Sequence, residues 1–136
     1  MVTISSVNNN EIINIQGILD STIYEYFTKL NNGEFTAAAE LFSELGILAP
    51  PFDKTVQGKK EIAQYLKKEA KGIKSCPEQG KILEQGCLTE YQIKGTVEIS
   101  QFVFNVEWLI ELNSDQEIIM VEVKLTASLE DLFDFK

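Results

Sequence analysis

The feature that most constrains the fold is the alternation of apolar and polar residues after Gly72. A period of two residues is typical of β-strands that bury one face. In FNVEWLIEL, residues 104–112, the single tryptophan of the chain, Trp108, falls on the apolar side. NSDQ at 113–116 has the composition of a turn. The second half of the chain is therefore predicted to be a run of antiparallel strands. The alternating apolar positions are Tyr91, Ile93, Val97, Ile99, Phe102, Phe104, Val106, Trp108, Ile110, Leu112, Ile119, Val121, Val123 and Leu125.

Three helices are predicted before these strands. In LDSTIYEYFTKLN the apolar residues follow helical spacing, with Asp20 or Ser21 as the cap and NNG at 31–33 as the end. The face consists of Leu19, Ile23, Tyr26, Phe27 and Leu30. EFTAAAELF and GKKEIAQYLKKEAKG are the second and third helices, and Pro50 and Pro51 exclude a helix in GILAPPF between them. The fold class is thus predicted to be α+β, with three N-terminal helices packed on one face of a curved, mainly antiparallel sheet.

The composition indicates one small domain with a hydrophobic core. The chain has 136 residues, of which 44% are hydrophobic. We expect a flexible arm at residues 1–10 and a single domain at 11–136. The net charge of −9 argues against nucleic acid and against anionic membrane surfaces as partners. Because no leader and no run of 18 apolar residues is present, we expect a cytoplasmic protein without a membrane span.

The chain contains no histidine, and all twelve of its basic residues are lysines. Histidine general bases, histidine-ligated metals and guanidinium clamps on anions are therefore excluded. Cys76 and Cys87 lie eleven residues apart and form no CxxC motif. We expect two free thiols and no metal site.

Two polar aromatic side chains are candidates for one binding site. The predicted inner face of the sheet and the stripe of the first helix are almost entirely apolar, and Tyr26 and Trp108 are the clear hydrogen-bond donors between them. Tyr65 and Tyr91 are further possible donors. A buried tyrosine O–H or tryptophan N–H normally has a partner. That partner is either a nearby backbone carbonyl, as in an ordinary core, or one acceptor oxygen on an apolar ligand. Alternation and spacing leave both readings open.

The span from about residue 18 to residue 135 resembles the C-terminal domain of the orange carotenoid proteins and its free-standing homologues. The matching motifs are YEYFTKLNNGEF, AELF, APPFDKTVQGKKEI, EAKGIKSCPEQG, NVEWLIELN and LTASLEDLFDF. These proteins form a photoprotective cyanobacterial family, and the domain has the nuclear transport factor 2-like (also SnoaL-like) fold. The resemblance therefore implies that fold and a protein without catalytic activity.

The resemblance also implies a ligand and a set of residues that bind it. In that family a tyrosine on the first helix and a tryptophan on an inner strand hydrogen-bond the keto oxygen of a carotenoid ring, and these positions match Tyr26 and Trp108. The expected ligand is a ketocarotenoid of the canthaxanthin or echinenone type. The other expected lining residues are Ile73, Phe104, Val106, Ile110, Val123 and Leu125. The expected role is carotenoid delivery, storage or photoprotection, with a homodimer around the pigment and a helical carotenoid protein as exchange partner.

The sequence departs from the family at several positions. The segment VEISQFVFNVEW is about four residues shorter than the family's hairpin, and Phe102 and Val103 stand where some homologues have a dimer-linking cysteine. Ala70 replaces a family cysteine, which puts redox control of dimerisation in doubt. Glu69 matches a position that bridges to the helical domain in that family.

Two other functions remain open. A ketosteroid isomerase-like enzyme would also use a tyrosine on the first helix, but it needs a carboxylate base in the pocket. The acids considered for it are Glu44, Asp53, Glu69, Glu107, Glu111 and Glu122, all of which are predicted to be solvated. The third possibility is a dimeric interaction module with a filled core. For a dimer, we expect apolar residues on the outer sheet face at Val103, Leu109 or Ile118, and we expect the tail SLEDLFDF to pack over the tunnel mouth or the sheet edge.

Overall fold

A computed structural model describes residues 12–126 of the chain. Within this range helices and strands are interleaved. The elements are α1 (Ser21–Asn31), α2 (Phe35–Glu40), β1 (Phe42–Ala49), β2 (Val56–Gln57), α3 (Lys59–Glu69), β3 (Ile73–Gln85), β4 (Thr89–Ile99), β5 (Phe102–Leu112) and β6 (Ile118–Leu125). The predicted arm at 1–10 and the predicted tail at 128–135 lie outside the described residues.

The strands form one mixed sheet in the order β2-β1-β6-β5-β4-β3. β1 pairs in parallel with β6, whereas the other neighbours are antiparallel. The prediction of three helices followed only by strands is therefore wrong in part, since β1 and β2 lie between α2 and α3. The error begins at Phe42, because the predicted second helix, EFTAAAELF, includes this residue. The helix ends at Glu40, and Phe42 instead begins a strand and pairs with Ile118.

Helix α1 begins where its capping residue indicates. The Asp20 carboxylate accepts hydrogen bonds from the backbone N–H groups of Thr22 and Ile23, which satisfies two otherwise unpaired donors. Ile23, Tyr26 and Phe27 are buried, as the helical spacing predicts. Leu19 was predicted to belong to this face, but it precedes the cap and is 97% exposed.

A β-bulge changes which residues of β6 face the core. Leu112 pairs with Ile118, but Glu111 pairs with Met120, so Ile119 is the extra residue. The alternation consequently shifts by one position, and Ile118 is fully buried. The expectation that Ile118 lies on the outer face is therefore wrong. The predicted alternation started at Ile119, whereas the residue that faces the core at the start of β6 is Ile118.

The inner face, meaning the sheet face that carries Trp108, is closed at one end and open at the other. Along β5 the exposed fraction rises from 2% at Trp108 and Val106 to 40% at Phe104 and 67% at Phe102. On β6 it rises in the same direction, from 0% at Val121 to 40% at Leu125. The helices thus cover the part of this face around Trp108 and leave the apolar residues near the β4–β5 turn exposed.

A pair of hydrogen bonds ties the end of α1 to the edge strand β3. The Asn31 side-chain Nδ2 donates to the Ser75 carbonyl oxygen, and the Ser75 N–H donates to Asn31 Oδ1, both at 2.8 Å. Ser75 is 7% exposed, so these groups are largely removed from water. Because a buried backbone group without a partner is costly, Asn31 is a structural link between the helix and the sheet.

Replacing Asn31 by Ala is expected to lower the free energy of unfolding by about 1 to 3 kcal/mol, because both buried backbone groups of Ser75 lose their partner. Urea unfolding followed by circular dichroism measures this change. Asn32→Ala is the matched control, since Asn32 is the next residue and is exposed, with its side chain on Glu34. Its loss should be smaller, and equal stability of wild type and Asn31→Ala would contradict the structural role.

Candidate functional site

The two predicted donors lie on facing elements, Tyr26 on the buried face of α1 and Trp108 on the inner face of β5. The Thr22 hydroxyl donates to the Gln116 carbonyl in the β5–β6 turn at 3.0 Å, and Asn31 is tied to Ser75 near the open end. Helix α1 therefore runs along the sheet from its closed end to its open end. Tyr26 and Phe27 lie between these two anchors along α1, and Phe27 contacts Trp108.

Phe27 occupies the space between the two donors. Its ring makes an edge-on contact with the Trp108 ring at a centroid distance of 4.9 Å and with the Tyr26 ring at 5.5 Å. The Tyr26 ring also contacts Phe42 edge-on at 5.9 Å. Such aromatic pairs contribute about 0.5 to 1.5 kcal/mol each beyond the burial of their area. In this conformation the donors lie within a packed aromatic cluster.

Both donors lack a protein partner among residues 12–126. No hydrogen bond between these residues involves the Tyr26 hydroxyl or the Trp108 indole N–H, whereas every fully sealed side-chain N or O atom among them has a partner. Each of the two residues is 2% exposed. Burial raises the pKa of Tyr26 above its ordinary value, so its hydroxyl remains a donor at all physiological pH values.

The raised pKa of Tyr26 predicts a loss of stability at alkaline pH. Below the unfolded-state value of 10.0 both states hold the proton; above it only the unfolded chain releases the proton, so unfolding becomes easier. Between pH 9 and pH 11, Tyr26→Phe is expected to lose about 1.4 kcal/mol less stability than wild type. Urea unfolding at the two pH values tests this, and an identical pH dependence of the two proteins would contradict it.

The other two candidate donors have different positions. The Tyr65 hydroxyl donates to Asp53 Oδ2 at 3.3 Å on an exposed surface. Tyr65 is therefore not a donor on the inner face. Desolvation, followed by the charge of Asp53, raises the pKa of Tyr65. Tyr91 is 9% exposed and pairs with Ile110 in the closed part of the sheet, and burial raises its pKa.

An open groove of about 630 Å³ lies at the open end of the inner face. One predicted lining residue, Ile73, forms part of its wall. Leu30, one helical turn after Tyr26 on the same face of α1, also lines it. In the sheet, Ile73 pairs with Ile99 and Ile99 pairs with Phe102, so a row of apolar residues runs from the wall of the groove to the β4–β5 turn. We call the groove together with this row the mouth.

The predicted lining residues follow the inner face from its closed to its open end. Ile110 lies beyond Trp108 and is fully buried, Val106 is buried on the other side of Trp108, and Val123 is half-buried opposite Trp108. Phe104 and Leu125 are exposed. Tyr26 and Trp108 do not line the groove, because Phe27 and its neighbours close the core around them. The sequence-based list omitted Phe27, Leu30, Ile99 and Phe102.

Charged groups are not part of the core of the described residues. The buried polar side chains there are Thr22 and Ser75, and none of the candidate acids is buried.

No group of three or more His, Cys, Asp or Glu side chains among residues 12–126 is placed to hold a metal ion. Cys76 is half-buried and Cys87 is exposed, and neither forms a disulfide within the part of the chain that the structure describes. None of the described helices has the length and apolar character needed to cross a membrane.

Comparison with known proteins links this geometry to one family. No protein-family model matches the sequence. The chain is 30% identical over 129 residues to the orange carotenoid-binding protein of Synechocystis sp., and 30% identical over 128 residues to that of Limnospira maxima. Each match covers 90% of this chain and 40% of the relative. The chain thus spans less than half the length of these relatives.

Solved structures agree with the sequence comparison. The structure of the Anabaena (Nostoc) sp. orange carotenoid protein binding canthaxanthin has a TM-score of 0.84 and 28% identity, covering 94% of this chain and 42% of that one. An epoxide hydrolase/cyclase-like enzyme in salinomycin pyran ring formation, at a TM-score of 0.66 and 18% identity, covers 81% of this chain and 90% of its own and shares the fold alone. The chain is therefore a homologue of the C-terminal domain of the orange carotenoid-binding proteins, with the nuclear transport factor 2-like fold.

Proposed function

We propose that this protein binds a ketocarotenoid without catalysing a reaction, with one keto ring held by Tyr26 and Trp108. The observation that carries this proposal is the inner face itself. It is apolar from Ile110 to Phe102 and becomes more exposed from Val106 towards Phe102. The Tyr26 hydroxyl and the Trp108 indole N–H in this buried part have no hydrogen-bond partner among residues 12–126. A long apolar molecule with one terminal acceptor oxygen matches that distribution. The relationship to carotenoid-binding proteins supports the same ligand class.

The proposed binding mode requires a change in the aromatic cluster. The Phe27 ring contacts the Trp108 ring edge-on at 4.9 Å, so a carotenoid ring that packs against this side of Trp108 has to displace Phe27. Burial of the polyene contributes most of the affinity, at about 25 cal/mol per Å² before the costs of immobilisation. The two hydrogen bonds add about 1 kcal/mol each. They consequently decide which carotenoid is preferred and at what wavelength it absorbs.

A ketosteroid isomerase-like reaction has less support. It needs a carboxylate in the pocket to remove a proton next to a carbonyl. Glu44, Asp53 and Glu69 are exposed, while Glu107, Glu111 and Glu122 are half-buried on the sheet face opposite Trp108. None of these groups is placed next to Tyr26.

The single tryptophan provides a direct test of pigment binding. Titrating the pigment-free protein with canthaxanthin is expected to quench Trp108 fluorescence, because the bound polyene accepts its excitation energy at close range, and to shift the pigment absorption to the red. An equal amount of β-carotene, which has no keto oxygen, should produce a smaller shift. Unchanged Trp108 emission and an unshifted pigment spectrum would overturn the proposal.

We further propose a cytoplasmic role in carotenoid delivery, storage or photoprotection, with a homodimer around the pigment and exchange with a helical carotenoid protein. The exposed apolar residues at the mouth support a dimer, because large exposed apolar patches are typical of interaction sites. Size-exclusion chromatography with light scattering should give a mass near twice 15.3 kDa for the pigment-bound protein. A monomer mass with and without pigment would contradict a shared pigment.

A further inference from the structure

The segment KKEAKGIK, residues 67–74, has a charge opposite to that of the rest of the chain. It contains four of the twelve lysines and one acid, Glu69, which gives it a net charge of +3 in a protein of net charge −9. Because salt screens charges beyond about 8 to 10 Å, such a local cluster acts on a nearby surface independently of the distant acids. The position of this cluster in the fold therefore determines what it meets.

The structure places the lysine cluster on the rim of the mouth. Lys67, Lys71 and Lys74 all line the groove whose apolar wall includes Leu30 and Ile73, and none of the acids among residues 12–126 lines it. Lys67 and Lys71 are exposed. The nearest acids in sequence and register are Glu69, which is exposed on α3, and Glu98, which pairs with Lys74 in the sheet.

Large apolar side chains lie on the same end of the molecule. Phe102 is 67% exposed, Val103 is 62% exposed and Ile99 is 40% exposed. Phe102 and Ile99 share the cross-strand row of Ile73, which joins them to the groove. Exposed aromatic and aliphatic side chains beside lysines are the combination found on surfaces that lie in the interface of a bilayer.

We propose that the mouth docks on an anionic lipid bilayer, with the lysines at the headgroups and the Phe102 region in contact with the acyl chains. The proposal rests on the proposed function in one respect: a carotenoid is an apolar molecule that dissolves in a bilayer, and this orientation places the groove over its source. The sequence-based expectation that net charge excludes anionic membranes is thereby replaced by a local argument. A lysine close to an anionic surface strengthens binding about fivefold.

A second copy of the chain is a less suitable binding partner for the surface around Lys67 and Lys71. Two mouths facing each other would bring Lys67 and Lys71 of each copy towards the same residues of the other, and like charges repel. A dimer around a pigment would therefore use the apolar part of the mouth without placing an opposite charge beside Lys67 and Lys71. We infer that docking on lipid and pairing around the pigment exclude each other.

The test measures binding of the pigment-free protein to vesicles, so its outcome does not depend on pigment binding. Flotation with phosphatidylcholine vesicles and with vesicles containing one quarter phosphatidylglycerol is compared at low and high salt. We expect at least tenfold stronger binding to the anionic vesicles at low salt, and loss of this preference at high salt. Equal binding to both vesicle types, or no binding, would overturn the proposal.

Two double variants of equal net charge locate the surface. Lys67→Glu/Lys71→Glu should weaken anionic vesicle binding at least tenfold, whereas Lys94→Glu/Lys124→Glu, on the outer sheet face, should weaken it less than threefold. Circular dichroism and thermal unfolding verify that both variants are folded. Equal loss in the two variants would show a net-charge effect, and a light-scattering dimer that depends on Lys67 and Lys71 without vesicle binding would show an interface between copies. Either result refutes lipid docking.

Discussion

Replacing both Tyr26 and Trp108 by Phe is expected to abolish the preference of the protein for a keto-ring carotenoid over one without oxygen. In the wild type the two donors favour the keto ring by about 2 kcal/mol together, or about 25-fold in affinity. A ligand without an acceptor leaves them unpaired, and that penalty disappears when both donors are removed. The red shift should disappear as well, because the donors stabilise the charge displaced towards the keto oxygen in the excited pigment.

Each single variant separates one donor from the other. Tyr26→Phe and Trp108→Phe should each keep the fold and reduce the preference about fivefold, with an intermediate absorption maximum. Competition between canthaxanthin and β-carotene, read from the absorption spectrum, measures the preference. If the double variant retained the wild-type preference and spectrum, Tyr26 and Trp108 would be ordinary core residues.

Replacing Phe27 by Ala is expected to destabilise the pigment-free protein by about 3 to 5 kcal/mol, because it removes a fully buried ring. The resulting cavity lies beside Trp108, where the proposed pigment ring binds. Pigment should therefore restore part of the lost stability by filling that cavity. Thermal unfolding with and without canthaxanthin measures both effects.

Phe42 is the matched control for this prediction. It is also fully buried and its ring contacts Tyr26, but no ring contact joins it to Trp108. Phe42→Ala should lose similar stability without the additional gain from pigment. We expect the pigment to stabilise Phe27→Ala by at least about 1 kcal/mol more than it stabilises Phe42→Ala. Equal gains would place the pigment ring elsewhere.

Local patterns predicted the elements of this fold better than their order in space. The cap at Asp20 and the helical stripe of Tyr26 and Phe27 are local, and they determine α1. The pairing of β1 with β6 joins residues far apart in sequence, and a short strand after a helix has no periodic signal that distinguishes parallel from antiparallel pairing. The bulge at Ile119 is likewise a property of the strand pair and not of the β6 sequence.

The candidate site was predicted unevenly for a similar reason. Alternation places Trp108 on the inner face, and helical spacing places Tyr26 on the buried face of α1, but neither pattern gives the distance between two elements. Phe27 was recognised as a core residue, yet its contact with Trp108 depends on how α1 lies across the sheet. The exposure of Phe104 could not be predicted either, because alternation identifies a face without indicating where the covering helices end.

The link between Asn31 and Ser75 has a mechanical consequence for a molecule that enters the mouth. It fixes the end of α1 to β3 by two short hydrogen bonds. The wall of the groove formed by the end of α1 and the start of β3 is therefore held in one position. The opposite wall, at Phe102, lies where β4 and β5 are joined by a two-residue turn whose Ser100 has a positive φ of 57°. Widening the mouth would therefore bend the β4–β5 hairpin away from α1, while the end of α1 stays in place.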